Sequence, residues 1–510
     1  MWRIARIPGI TFGLFLVWKL VLLVTTSQPI PFCDAFFYDG PVVNFLLHGK
    51  YCNPSLAAAL PISGTELYAT YPPLHQLALL IWMSVFGTSA LSAMWYQFLL
   101  LVGFTVVTYS TLKMLLASRA ALNWAGLFCF GITFHERADL LAYLMGGLAI
   151  WSCVRARCNA APRWFWAAAG FAVLSLCSSL QIGGIHLVLL ALLLVGDAVL
   201  TRRKIPLLPC FASVGVIVAL IAFAVVCCPR FWAGFQEHLK ATPTVTGVRT
   251  PRIFDALKIG RALAGVWVVT AALAWLALTG KLRQALRESY PALLTICAVL
   301  TLIMLAGSCL ILFFSDMIRM AVYMQPLVVG AFFIACGNAA FPVWPRRALT
   351  TLFAVAVLVG SLRAIGMSTV GVQCARDVSR TKATTMIRQE LDSTVTGSTV
   401  LFSSAYLYDA AQRTNINWIH FGWTLPLGKS EGIAQLRPGK IVLTQFDYYW
   451  TFVPMMQELR RRPNPPEFKV RNTTGVVTPD ANSKPSNPMK HLAWAPVFVD
   501  CTWPGEGKAQ

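Results

Sequence analysis

The chain carries eleven apolar runs of helix-spanning length, centred near Leu16, Val102, Phe128, Leu148, Val173, Leu190, Ile217, Val268, Leu302, Val328 and Ala356. A run of roughly 17 to 25 apolar residues suits the hydrocarbon core of a bilayer, where a helix satisfies its own backbone hydrogen bonds without water. Only 12% of the residues are charged and 57% are apolar, with a mean hydropathy of +0.63. The expectation is a polytopic membrane protein of about eleven transmembrane helices.

Lys and Arg resist translocation and so mark the cytoplasmic turns. Arg3 and Arg6 precede the first span, Lys113 and Arg119 follow the second, and Arg155, Arg157 and Arg163 follow the fourth. Arg202, Arg203 and Lys204, then Lys281, Arg283 and Arg287, then Arg346 and Arg347, mark later inner turns. Alternation from these anchors places 28–90, 134–139, 229–262 and 314–319 outside, with everything after the eleventh span. The segment from Pro72 to Phe86 is apolar but short for a crossing, carries His75 and Gln76, and has no basic cluster after it. It reads as an interfacial helix, because counting it as a span would invert the charge bias downstream. The amino terminus reads as a span and not a cleaved signal, since no small-x-small site precedes Pro29. Lys19 lies within that span and reads as a cation reaching for the interface.

After about Ala364 the hydropathy changes, and 370–510 reads as a small soluble α/β domain following a membrane domain over 1–369. Thr399 to Phe402 and Lys440 to Leu443 look like buried strands, Met455 to Arg461 like a helix, and Ala495 to Asp500 like a final strand. Prolines 463, 465, 466, 479, 485 and 488 punctuate the loops between them. Most of the fourteen cysteines fall in spans, where a thiol behaves as a small apolar group. Cys33 with Cys52, and Cys374 with Cys501, stand in outer segments where an oxidising exterior permits pairing. No Cys/His group has zinc spacing, and no Walker, GxGxxG or GxSxG element occurs, so nucleotide binding and serine hydrolysis find no support.

The net charge of +21 follows largely from topology, so it gives no ground for a nucleic-acid partner. The outer loop 229–262 is nonetheless basic, with Arg230, Lys240, Arg249, Arg252, Lys258 and Arg261 against Glu237 and Asp255. Cations on the translocated side suit anionic headgroups or a phosphate ligand; a solvated, lipid-contacting loop is the competing reading.

The first outer loop is the most distinctive stretch. It opens with Asp34, has Tyr38 four residues later and Gly49-Lys50-Tyr51 fifteen residues after the Asp, re-enters at Tyr71-Pro72-Pro73-Leu74, and closes at Phe86-Gly87. A second outer turn carries Glu136-Arg137-Ala138-Asp139, and a late one runs from Asp316 to Arg319 ahead of Gln325-Pro326. This pattern resembles the GT-C class of glycosyltransferases that use polyprenyl-phosphate sugars, such as the lipid A aminoarabinose transferases and the bacterial mannosyltransferase-like group. The resemblance is good over spans one to four, looser later, and one of texture only in the soluble domain. Where relatives have Asp-Glu, an Arg three residues after the Asp and a Lys beside the re-entrant proline, this chain has Ala35, Phe37 and Pro72.

The resemblance implies a donor carried on polyprenyl phosphate and an acceptor that is a glycolipid, polysaccharide or protein, at an extracytoplasmic site of a bacterial inner membrane. Such a transfer needs a carboxylate to deprotonate the acceptor hydroxyl and cations to neutralise the departing phosphate. Asp34 is the candidate base, with Asp139 and Glu136 as further catalytic candidates. Tyr38, Lys50, Tyr71, Arg137, Arg230, Arg249 and Arg319 are the substrate-binding candidates. Asp139 also suits a divalent cation, Mg²⁺ or Mn²⁺, though no metal is required. Each assignment has a plainer competitor: Asp34 and Asp139 as helix caps, Arg137 on headgroups, Tyr38, Tyr51 and Tyr71 as interfacial aromatics, and His135 at the interface. Asp39, followed by Gly40 and Pro41, reads as a turn residue. Two other classes stay open. A transporter would show internal repeats and ionisable groups at mid-membrane, and an O-antigen ligase-like protein would gather its key residues in a large late outer loop, for which 229–262 is the candidate.

Overall fold

The computed structural model describes residues 7–27, 35–116, 118–132, 139–246, 264–312, 321–338, 343–422, 429–444, 447–448, 452–472 and 494–504. Its amino-terminal part is helical throughout. Helix α1 (Ile10–Thr26) leads to α2 (Ala35–His48), and after an irregular loop α3 (Leu74–Phe86) and α4 (Ala90–Leu115) form a hairpin. Then come α5 (Arg119–Leu127), α6 (Asp139–Cys158), α7 (Trp164–Ser178), α8 (Leu180–Thr201), α9 (Leu207–Val226) and α10 (Pro229–Thr246). The remainder comprises α11 (Ala264–Leu278), α12 (Leu282–Glu288), α13 (Tyr290–Leu312), α14 (Gln325–Asn338) and α15 (Val343–Asp377).

Among the described residues α4, α6, α8 and α9 are each long and apolar enough to cross a membrane, and α1, α3 and α7 are shorter apolar helices. Each apolar centre named above falls within a helical segment, that at Phe128 in a 3-10 turn. Helix α6 packs on α7 and α4, α8 on α7 and α13, and α14 on α13 and α5. Helix α9 leaves Leu208, Phe211 and Val226 exposed, as a lipid-facing surface would. Near the carboxyl-terminal ends of α6 and α8, Arg157 Nε lies 2.6 Å from Asp197 Oδ2 in a buried pair. Removing one partner would strand the other charge, so the pair fixes the register of the two helices.

Local chemistry explains the hairpin of α3 and α4. Gly87 adopts φ +85, open to glycine and strained for other residues, and Ser89 Oγ accepts the Ser92 N–H at 3.1 Å to cap α4. Helix α3 has only 13 residues, about 20 Å.

Helix α15 passes into α16 (Arg380–Asp392), capped by Ser379, and the chain then builds a five-stranded sheet in the order β2-β1-β3-β5-β4. Strand β1 (Thr399–Phe402) pairs in parallel with β2 (Asn417–His420) and β3 (Lys440–Thr444), while β5 (Pro496–Thr502) runs antiparallel to β3 and β4 (Glu467–Asn472). Short helices α17 (Leu407–Ala410), α18 (Lys429–Leu436) and α19 (Val453–Leu459) complete the domain. The strands at 399 and 440, and the last one, fall where the apolar runs place them. The strands at 417 and 467 were not read from the sequence. Both border the sheet, and Glu467-Phe-Lys-Val-Arg-Asn alternates as a half-exposed edge does. Arg471 grips Asp500 at 2.7 and 3.0 Å and also pairs with Glu390, tying α16 to the sheet. Cys501 is a free, buried thiol, so the permitted Cys374–Cys501 bond is not made. Cys52 is also free and takes a hydrogen bond from Asn44; Cys33 lies outside the described residues.

Candidate active site under the outer loop

Helix α2 carries the centre of the site. Phe36, Phe37, Tyr38 and Asp39 are all buried, so four consecutive residues face protein on every side of the helix. The turn expected at Asp39 is not formed; α2 runs straight through Gly40 and Pro41. Two features allow it. A proline's fixed φ is compatible with helix at the cost of one hydrogen bond, and a Cβ at Gly40 would lie 2.5 Å from the Asn53 side chain. Asn53 donates to the Phe36 carbonyl at 2.7 Å, which pins the returning loop against the helix.

The carboxyl of Asp39 accepts a hydrogen bond from the Tyr408 hydroxyl at 2.8 Å. Tyr408 belongs to α17, so the bond joins the membrane part to the C-terminal domain. Beside it the Phe36 ring stacks on His420 at 3.7 Å, and His48 Nε2 donates to the Ala411 carbonyl at 3.0 Å. His420 Nδ1 accepts the Gly422 N–H, which leaves Nε2 to donate to Ser404 Oγ at 2.9 Å. Burial pushes the Asp39 carboxyl up to about 7, against the opposing effect of the Tyr408 bond.

That shift sets a sign. A carboxyl whose value rises on folding favours the folded state when protonated, so its stabilisation is complete below about pH 4 and is lost as pH rises through 7. Thermal stability of the wild type is therefore expected to fall across that window relative to Asp39→Asn, measured by melting scans in detergent. Equal pH profiles for the two proteins would contradict it. Tyr408→Phe removes the recorded partner of a buried carboxyl and is expected to cost roughly 1–3 kcal/mol.

A second layer faces the other side of α2. Tyr38 lies 4.8 Å from Tyr71 and 5.7 Å from His75, ring to ring, and Tyr71 lies 5.4 Å from His238 of α10. Tyr38 is thus enclosed by protein and is not a belt residue facing lipid. His75 and Gln76 open α3, are fully buried, and have no hydrogen-bond partner among the described residues. Burial pushes His75 down to about 3 and His238 down to about 4, so both rings are neutral at ordinary pH. Glu237 of α10 accepts the Ile62 N–H at 3.2 Å, which docks α10 on the loop. The arrangement is a neutral, aromatic and imidazole-lined patch beside one protonatable carboxyl, suited to stacking on and bonding to an uncharged polar ring.

The expected site residues divide as follows. Tyr38 and Tyr71 come together. Asp139 opens α6, is buried, and accepts a bond from Ser179 Oγ at 3.3 Å, which ties the start of α6 to the start of α8. Lys50 is exposed beyond the far end of α2, roughly 15 Å along the helix from Tyr38. Arg230 pairs with Glu66 at 3.3 Å in an exposed ion pair, of small energetic weight. Asp34, Glu136, Arg137, Arg249 and Arg319 lie outside the described residues; Asp34 immediately precedes Ala35, where α2 begins. Among the described residues no three His, Cys, Asp or Glu side chains converge on a metal position. Asp39, His75, His238, Tyr408 and His420 are additions to the sequence reading.

No protein-family model and no curated protein matches the chain. Solved structures do. ArnT from Cupriavidus metallidurans, bound to undecaprenyl phosphate, superposes with a TM-score of 0.53 at 16% identity over 98% of this chain and 99% of that one. The Archaeoglobus fulgidus oligosaccharyltransferase tethered to an acceptor peptide superposes with a TM-score of 0.50 at 12% identity over 88% of this chain and 70% of that one. The likeness shows that the chain shares the fold of these two proteins.

Proposed function

We propose that this chain is a membrane glycosyltransferase that moves a sugar from a polyprenyl-phosphate donor to an extracytoplasmic acceptor, a glycolipid, polysaccharide or protein. The observation that carries the reading is the patch that Tyr38 of α2, the helix that Asp34 precedes, forms with Tyr71 and with His75 of α3, set in a fold shared with a protein solved on undecaprenyl phosphate.

The reaction is an inverting displacement. The acceptor oxygen bonds to the anomeric carbon as the bond from that carbon to the phosphate oxygen breaks, the hydroxyl proton passes to Asp34, and polyprenyl phosphate leaves with the electron pair. Asp34 supplies the general base, and Arg249 and Arg319 offset the charge gathering on the leaving phosphate. Glu136, Arg137 and Asp139 orient the acceptor. Tyr38 and Tyr71 stack on the sugar. Eleven crossings put the outer loop, the second turn and the C-terminal domain on one side of a bacterial inner membrane.

The purified protein in liposomes, given synthetic polyprenyl-phosphate sugars and envelope glycolipid extract, is expected to release polyprenyl phosphate, followed by thin-layer chromatography. No release from any donor by folded protein would refute the reading. An alkaline phosphatase fusion near Gly475 is expected to be active, as export requires; an inactive, stably expressed fusion would place the C-terminal domain inside.

A further inference from the structure

Away from α2, helices α4, α6, α8 and α14 meet around a cavity of about 20 Å³. Its wall includes Phe104, Thr108 and Thr111 of α4, Tyr143 of α6, His186 of α8, and Tyr323 of the 3-10 turn Ala321–Met324 that leads into α14. No residue of α2, α3 or α10 lines it, so it lies apart from the candidate active site. One water molecule needs roughly 10–15 Å³ of such space, and a sugar or an acyl chain needs far more. The aromatic part of the wall is closely arranged: Tyr143 stacks on Tyr323 at 4.6 Å, meets His186 edge-on at 5.6 Å, and Phe104 meets Tyr323 edge-on at 5.7 Å.

The orientation of His186 is fixed by its neighbours. Its ring lies against Gly146 of α6, where a Cβ would stand 2.1 Å from Nδ1. The Ser175 hydroxyl of α7 donates to the Ala142 carbonyl at 2.8 Å, so at 3.2 Å from His186 Nδ1 it can only accept. In the neutral ring the proton is therefore on Nδ1, and Nε2 keeps a lone pair. The Ile182 carbonyl, one turn back on α8, is a further acceptor near the ring, and no described group donates to Nε2. The Thr108 hydroxyl is in the same position, with no recorded hydrogen bond among the described residues. His186 is 2% exposed and Thr108 6%, so bulk solvent does not answer for either group.

We propose that this cavity seats one ordered water molecule, which donates to His186 Nε2 and bonds to the Thr108 hydroxyl. Thr111, one turn further along the same face of α4, donates its hydroxyl to the Val107 carbonyl at 2.8 Å and keeps a lone pair for the water as third partner. Three partners is the usual number for a buried water. A wholly apolar cavity of this size stays dry, whereas one that presents an imidazole lone pair and a hydroxyl holds water, because otherwise both groups forfeit their hydrogen bonds. The water links α8 to α4 beside the turn into α14, a junction that the direct side-chain bonds of His186 do not make. The inference needs only the packing of these helices and stands apart from the transfer reaction.

Magic-angle-spinning NMR of the whole protein in lipid bilayers, with the histidine ring nitrogens labelled, tests it. The His186 ring is expected to carry its proton on Nδ1 and to show magnetisation transfer from water protons to Nε2. Thr108→Val, close in shape to the native residue, is expected to lower that transfer about twofold or more, and Thr108→Leu, which adds volume where the water sits, to abolish it. Thr105→Val removes a hydroxyl that bonds only to the Leu101 carbonyl of the same helix and is expected to leave the signal unchanged. A proton on Nε2, or no water transfer in folded wild type, would overturn the proposal. So would wild-type transfer in Thr108→Val, or a loss in Thr105→Val equal to that in Thr108→Val, which would mean a general loosening of α4. Melting scans establish that each variant is folded; where Thr108→Leu is not, the wild-type tautomer and Thr108→Val decide.

Discussion

Replacing Asp34 by Asn is expected to reduce transfer by roughly two or more orders of magnitude while leaving expression and melting temperature unchanged. The amide keeps the size and shape of the carboxylate but cannot accept the hydroxyl proton, so the loss falls on turnover. A helix-cap role predicts the opposite pattern, because Asn caps helices as well as Asp does. Near-normal turnover of Asp34→Asn with purified polyprenyl-phosphate sugar would therefore remove Asp34 from the chemistry. The protonatable carboxyl of Asp39, five residues further along the chain, would then be the next base to test.

The second large effect concerns the donor. Arg319→Gln or Arg249→Gln is expected to weaken donor use by roughly ten- to a hundredfold, since a guanidinium offers phosphate two parallel hydrogen bonds and a full charge that Gln lacks. The same charge stabilises the leaving phosphate, so turnover falls together with apparent donor affinity, while acceptor affinity barely moves. Kinetics with donor and acceptor varied separately read the difference. Unchanged behaviour in both variants would move the phosphate role to Lys50 or a metal, and equal loss toward both substrates would indicate damaged folding.

The apolar runs announced helices, of which four among the described residues are long and apolar enough to cross a membrane, and the first strand, the third and the last announce themselves as short buried runs. The edge strands did not, since Asn417 to His420 has too few residues to show a period and Glu467 to Asn472 looks polar until its alternate residues are counted. At the candidate site, the spacing of Asp34, Tyr38 and the Pro72-Pro73 entry drew attention to the segment that forms α2, where Tyr38 meets Tyr71. The role of Asp39 was misread because Gly-Pro signals a turn, a local preference that packing against Asn53 overrides. Tyr408 lies 369 residues from Asp39 in the chain, and His420 meets Phe36 across a similar interval; contacts of that range leave no local pattern. Loop 229–262 drew notice for its cations, yet Glu237 and His238 are the residues that bring α10 to the site.

Mass spectrometry of envelope glycolipids and glycoproteins from cells with the protein, without it, and with Asp34→Asn in its place tests the central claim most directly. One glycan species is expected to lose a single hexose or pentose when the protein is absent, and Asp34→Asn is expected not to restore it. Identical glycan profiles in all three strains, with the protein expressed and folded in the first and third, would contradict the assignment as a glycosyltransferase.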